Sequence, residues 1–129
     1  MTAMTPVDGI TNLLQNYLDV QSRRAEVISG NIANADTPNY IAKKLEFNDY
    51  LRDAARNAMQ PNQNSSNAGL SSSLRVVDQD SEVVGLDGNT VDTGREMAEL
   101  AQTGNSFTFG AKMLQSRLRL LRMAIREGK

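Results

Sequence analysis

Apolar and small residues recur at alternating spacings of three and four over the last third of the chain: Met97, Leu100, Gly104, Phe107, Ala111, Leu114, Leu118, Leu121 and Ile125. That alternation keeps a seam on one side of a helix, where its side chains insert between those of a facing helix. The pattern predicts a helix over 93–127, about 50 Å long at 1.5 Å per residue, opened by a capping box of Thr93 and Glu96. Its middle, Thr103-Gly104-Asn105-Ser106 and Gly110, is poor in helix formers, a glycine costing about 1 kcal/mol relative to alanine. Two shorter helices jointed near Gly104 therefore compete with one continuous helix. In the continuous case, Gly104 and Ala111 would let a partner backbone come close and offset the weak propensity.

A second apolar face, Ile10, Leu14, Leu18, Ala25, Ile28 and Ile32, predicts a first helix over 8–33. Leu13, Tyr17 and Val27 widen it, Gln21 interrupts it, and Asp8 is its expected N-cap. At about 37 Å it is long enough to pair with the last helix, antiparallel or nearly so.

The helix should stop within Asn34-Ala35-Asp36-Thr37-Pro38-Asn39-Tyr40. Pro38 disfavours helical geometry at Thr37 and has no backbone N–H, and Asn39 tolerates the positive φ of a type II turn after proline. Asp36 and Thr37 can close the turn with side-chain to backbone bonds. Ile41, Leu45 and Phe47 then alternate as in a short extended segment that Lys43 interrupts. A short helix follows at 49–59, with Leu51, Ala54, Ala55 and Ala58 on one face and Asn48 as cap.

Residues 60–73 offer almost nothing to bury and read as a mobile polar linker. The β-branched runs 74–77 and 82–84 suggest two short strands, with a turn at Leu86-Asp87-Gly88-Asn89 beyond them. These elements describe a mainly α chain. Two long N- and C-terminal amphipathic helices pair as a coiled coil, joined by a short middle helix, a flexible linker and a small β-hairpin-like segment. The expected organisation is one structural domain, divided at 1–59, 60–73, 74–92 and 93–129.

With 40% hydrophobic and 5% aromatic residues in 129, there is little material for a large globular core, which favours helix pairing over a globule. The net charge of −1 gives no general attraction to nucleic acid or membrane. Charge is nonetheless uneven: residues 91–129 hold seven Lys/Arg against four Asp/Glu, and the first ninety hold seven against eleven. Two ends of opposite tendency could attract each other.

The chain has neither Cys nor His, and so lacks a disulfide framework, a thiol nucleophile, the commonest general base and the commonest metal ligand. The run Asp78-Gln79-Asp80-Ser81-Glu82 is no calcium loop, because Val83 stands where glycine is needed and Asn89 where the bidentate Glu belongs. There is no glycine-rich phosphate loop. The stripe Arg119, Arg122 and Arg126 lacks the interleaved aromatics of a nucleic-acid surface. No enzyme activity, cofactor, metal, nucleic acid or small-molecule substrate is expected. Met1 to Gly9 lacks the basic and apolar segments of a secretory signal, and no run of about 18 apolar residues could span a bilayer. Export, if it occurs, is expected without a cleaved signal peptide.

The segment Ser29-Gly30-Asn31-Ile32-Ala33-Asn34-Ala35-Asp36-Thr37-Pro38-Asn39-Tyr40 resembles the signature of the flagellar rod and hook family of bacterial axial proteins. In that family an N-terminal helix ends in an Asn-x-x-Asn-x-x-Thr-x-Gly-Tyr type element, and here Asn39 stands in place of the glycine. The short length, the element Leu86 to Asp92 and the ending Ala124-Ile125-Arg126-Glu127-Gly128 further resemble a proximal rod subunit. The likeness covers residues 8–59 and 76–128. It implies a structural subunit of the bacterial flagellum basal body, exported through the flagellar type III apparatus and built into a rod that spans the periplasm. Such a rod transmits torque from the membrane motor ring to the hook. Implied partners are copies of itself, other rod proteins, the basal-body adaptor, the membrane ring and the export apparatus. A soluble coiled-coil adaptor or export chaperone is the rival reading of two amphipathic helices.

Overall fold

The computed structural model describes residues 6–59 and 74–128. Helix α1 runs Pro6–Ala33, strand β1 Lys43–Glu46, helix α2 Asn48–Met59, strand β2 Arg75–Asp78 and helix α3 Thr93–Glu127. The mainly α class and the pairing of the long helices are as expected. The linker expected at 60–73 lies outside the described residues.

α1 begins at Pro6, two residues before the expected cap at Asp8. Proline suits the first helical position, since its fixed φ is already helical and its missing N–H would be unpaired there. α3 is one continuous helix of 35 residues, so the two-helix alternative does not hold. Its cap is also not the expected Thr93–Glu96 box. The Asp92 side chain accepts from the Arg95 backbone N–H at 3.2 Å, and Glu96 turns inward.

α3 packs along α1 in the antiparallel sense. Asn31 near the end of α1 meets Glu96 near the start of α3, and Gly110 farther along α3 meets Tyr17 and Leu18. A Cβ at Gly110 would lie 2.9 Å from Tyr17 Cδ1 and 3.0 Å from Leu18 Cδ2. The close approach anticipated at Gly104 is therefore made at Gly110 within this chain. Gly104 is exposed, and a Cβ there would meet nothing within 4 Å.

On another face of α1, Val20 packs with Leu45, Tyr50 and Ala54 in a small core flanked by Leu13, Val27, Phe47, Leu51 and Leu74. α2 comes so near that a Cβ at Gly9 would sit 2.8 Å from the Ala58 carbonyl oxygen. Gln21, the polar interruption in the α1 pattern, is buried, and its Oε1 has no hydrogen-bond partner.

β2 pairs antiparallel with β1, Lys43 opposite Asp78 and Glu46 opposite Arg75, and not with 82–84 as the hairpin reading has it. Both end pairs carry opposite charges and form ion pairs across the ladder, which favours this register. At 82–84 the chain instead closes on itself. Ser81 Oγ donates to the Val83 carbonyl at 2.7 Å and accepts from the Val83 N–H at 3.3 Å.

Candidate functional site

The segment that ends α1 has a run of carbonyls and a tight bend to satisfy, and it does so with asparagines. Asn31 is fully buried and uses both ends of its amide. Nδ2 donates to the Lys43 carbonyl at 2.7 Å and to Glu96 Oε2 at 3.1 Å. Oδ1 accepts from the Lys43 N–H at 2.9 Å and from the Tyr40 hydroxyl at 3.4 Å. One side chain thus ties α1, β1, the turn and α3 together. Asn34 Nδ2 donates to the Gly30 carbonyl at 2.8 Å, and its Oδ1 accepts from the Thr37 hydroxyl at 3.1 Å. Asp36, Thr37, Pro38 and Asn39 lie at the exposed tip, and Asn39 takes the expected positive φ, 61°.

The turn is closed from outside by residues in and just after the turn Leu86-Asp87-Gly88-Asn89, to which sequence reasoning gave no such contact. The buried Asn89 donates through Nδ2 to the carbonyls of Asn34, Ala35 and Thr37 at 2.9, 2.9 and 2.8 Å. These carbonyls lie in the turn just beyond α1, and Asn89 supplies donors for them from the other half of the chain. Thr90 Oγ1 accepts from the Ala42 N–H at 2.8 Å, and the Thr90 N–H donates to the Tyr40 carbonyl at 3.0 Å. Gly88, at φ 81°, leaves room for Asn39, whose Oδ1 would stand 2.4 Å from an added Cβ. The Asn39 N–H donates to the Asp87 carbonyl at 3.0 Å. The two turns are therefore fitted to each other.

The residues of α3 that are buried are Glu96, Thr103 and Gly110, spaced by seven, one position before the apolar stripe. Arg117 continues the spacing and is half-buried, with its Nε unpaired. Thr103 turns its hydroxyl back to the Glu99 carbonyl at 2.7 Å, so it can be buried without cost to its polar group. Glu96 is 1% exposed. Burial pushes its carboxyl above the ordinary range, against the Asn31 hydrogen bond; Glu99 and Asp92 add to the rise and Arg95 opposes it. With its amide turned to suit its neighbours, Gln79 donates to Glu96 Oε1 at 3.1 Å and accepts from Arg95 at 3.0 Å. The heptad spacing of 96, 103 and 110 was the available signal, masked by the stronger apolar one beside it.

Of the apolar stripe, Leu100, Ala111, Leu114 and Leu121 are half-buried, while Met97, Gly104, Phe107, Leu118 and Ile125 are exposed. The stripe is rotated by one residue, about 100°, from the line of closest contact, so α1 covers only part of it. Along α1, Ile28 is buried, Leu14, Leu18, Ala25 and Ile32 are half-buried, and Ile10 is 39% exposed. Among the described residues, no group of acidic side chains could hold a metal ion, and no helix is long and apolar enough to cross a membrane. What the arrangement offers is a rigidly tied junction and an uncovered apolar flank.

A family model described as flagella basal body rod protein matches residues 18–40, the second half of α1 and the turn. The flagellar basal body rod protein FlgB of Salmonella typhimurium is 30% identical to this chain over 128 residues, covering 88% of this chain and 90% of that protein. FlgB of Yersinia ruckeri is 30% identical, covering 95% and 97%, and FlgB of Bacillus subtilis 29%, covering 98% and 100%.

Proposed function

Because this chain belongs to the FlgB family of flagellar basal body rod proteins, we propose that it is a proximal rod subunit that polymerises through its two long helices. The wall so formed carries torque from the membrane motor ring towards the distal rod and hook. The role is structural and not catalytic. The subunit reaches the rod through the flagellar type III export apparatus and meets other rod proteins, the basal-body adaptor and the membrane ring there. It works where the rod spans the periplasm.

The observation that carries this reading is the apolar flank of α3. Met97, Phe107, Leu118 and Ile125 lie on a continuous 3-4 stripe and are exposed, an arrangement that buries its surface only when another helix is laid beside it. The asparagine-tied junction supports the same reading, because load passed along α1 must cross to α3 without the pair slipping. A wall of identical subunits needs contacts that repeat without closing, and a long helical flank offers them.

Replacing Leu118 and Ile125 with Asp tests the proposal, since both are exposed. The expected outcome is an unchanged helical circular dichroism spectrum, loss of motility, and absence of the variant from detergent-washed basal bodies. Normal swimming by the variant would refute assembly through this flank. An adaptor or chaperone would stay in the cytoplasmic fraction, and recovery of the wild-type chain there alone would favour that reading.

A further inference from the structure

Opposite charges are concentrated at opposite ends of the folded chain. From Asp78 to Asp92 the sequence contains Asp78, Asp80, Glu82, Asp87 and Asp92 and no Lys or Arg. From Lys112 to Arg126 it contains Lys112, Arg117, Arg119, Arg122 and Arg126 and no Asp or Glu. Both stretches also hold apolar side chains in solvent. In the loop Val83 is 71% exposed, Val84 60%, and Leu86 fully exposed; on α3 Leu120 is 62% exposed, Met123 50% and Ile125 76%.

These stretches cannot satisfy each other within one chain. The loop is fixed to the segment that follows α1 by Asn89, at Asn34, and by Thr90, at Ala42. α3 starts beside it and runs away, so Arg122 lies about 45 Å from Asp92 at 1.5 Å per residue. Among the described residues, Asp78 is paired with Lys43, whereas Asp80, Glu82, Arg119, Arg122 and Arg126 form no ion pair. A partner that suits the loop must be basic with interspersed apolar groups, and a partner that suits the helix end must be acidic with the same. This chain supplies both.

We infer that the acidic loop 78–87 of one copy docks against the basic face of α3 that Arg119, Leu120, Arg122, Met123 and Arg126 form on the next copy. The inference rests on the reading of the chain as a rod subunit and adds a contact distinct from the helix-to-helix flank. Opposite potentials steer the two surfaces together and reject loop-to-loop and tail-to-tail encounters. Val83, Val84 and Leu86 then leave water against Leu120 and Met123. Because the surfaces differ and lie at opposite ends, the contact is head to tail and propagates. The loop meets the side of the helix and not its end, where unpaired carbonyls would repel its carboxylates.

The chain has no cysteine, so introduced thiols report without background. The test joins Leu86→Cys and Met123→Cys in one chain, at two exposed positions, and oxidises it both as purified concentrated protein and in isolated basal bodies. A ladder of covalent multimers is expected, with a single dimer when the two single variants are mixed and little product from either alone. Asp80→Lys with Glu82→Lys should cut the yield several-fold, and adding Arg119→Glu with Arg122→Glu should restore it. Absence of cross-copy product, equal linkage by Leu86→Cys alone, or loop linkage only to other basal-body proteins would overturn the inference. Whether the same variant fractionates with basal bodies is read separately, so that failure of the rod-subunit reading is distinguishable from failure of this contact.

Discussion

Glu96 joins two stretches of chain 65 residues apart through Asn31 while its own carboxylate resists burial. Its folded-state pKa is raised, mainly by desolvation, so the folded chain holds this proton more tightly than the unfolded one. Stability from this group is then greatest below the unfolded carboxylate pKa and is lost as pH rises towards the folded value. Glu96→Gln removes the titration and keeps an oxygen for Asn31. Thermal melts from about pH 4 to pH 7 should show the wild type losing ground relative to the variant as pH rises, and parallel profiles would refute the assignment. Residues of this kind were only partly legible in the sequence. Asn39 could be read because positive φ is a local demand that few residues meet. Asn89 and Glu96 could not, because the carbonyls that Asn89 serves and the Asn31 amide that Glu96 meets are more than 50 positions away and nothing nearby says that a polar side chain will be buried.

The helices were legible from their periods, and their facing was not. An apolar stripe shows that a helix needs a neighbour, but close contact is decided by which residues are small enough. In α3 that is the line through Thr103 and Gly110, with Glu96 admitted because Asn31 and Gln79 receive it. Two glycines of this helix, Gly104 and Gly110, separate the effects. Gly104→Ala meets open space and should stabilise the chain by roughly 0.5–1 kcal/mol through helix propensity. Gly110→Ala gains the same propensity but forces Tyr17 and Leu18 apart, and overpacking costs about 1–3 kcal/mol, so it should melt below wild type. Chemical denaturation of the two variants should move their midpoints in opposite directions. Strand pairing misled for a related reason: β2 chose β1 across the chain because Lys43 and Glu46 meet Asp78 and Arg75 there, which adjacency in sequence does not reveal.

At the scale of the whole molecule, the family resemblance in the turn signature pointed to the right class, and composition rightly turned attention from a globular core to helix pairing. What remained hidden was how the halves of the chain are held. Residues 6–59 and 74–128 meet along the α1–α3 pair, in the β1–β2 ladder and at the Asn31 and Asn89 hydrogen bonds. Among the described residues the halves are thus held to each other by a helix pair, a strand ladder and buried asparagine bonds. The protein is in this sense already a complex of two peptides that happen to share a backbone. Separately produced fragments 1–59 and 74–129 should accordingly find each other when mixed. Equimolar fragments should give more helical circular dichroism than the sum of the two alone, and a purely additive spectrum would show that the connection does more than tether.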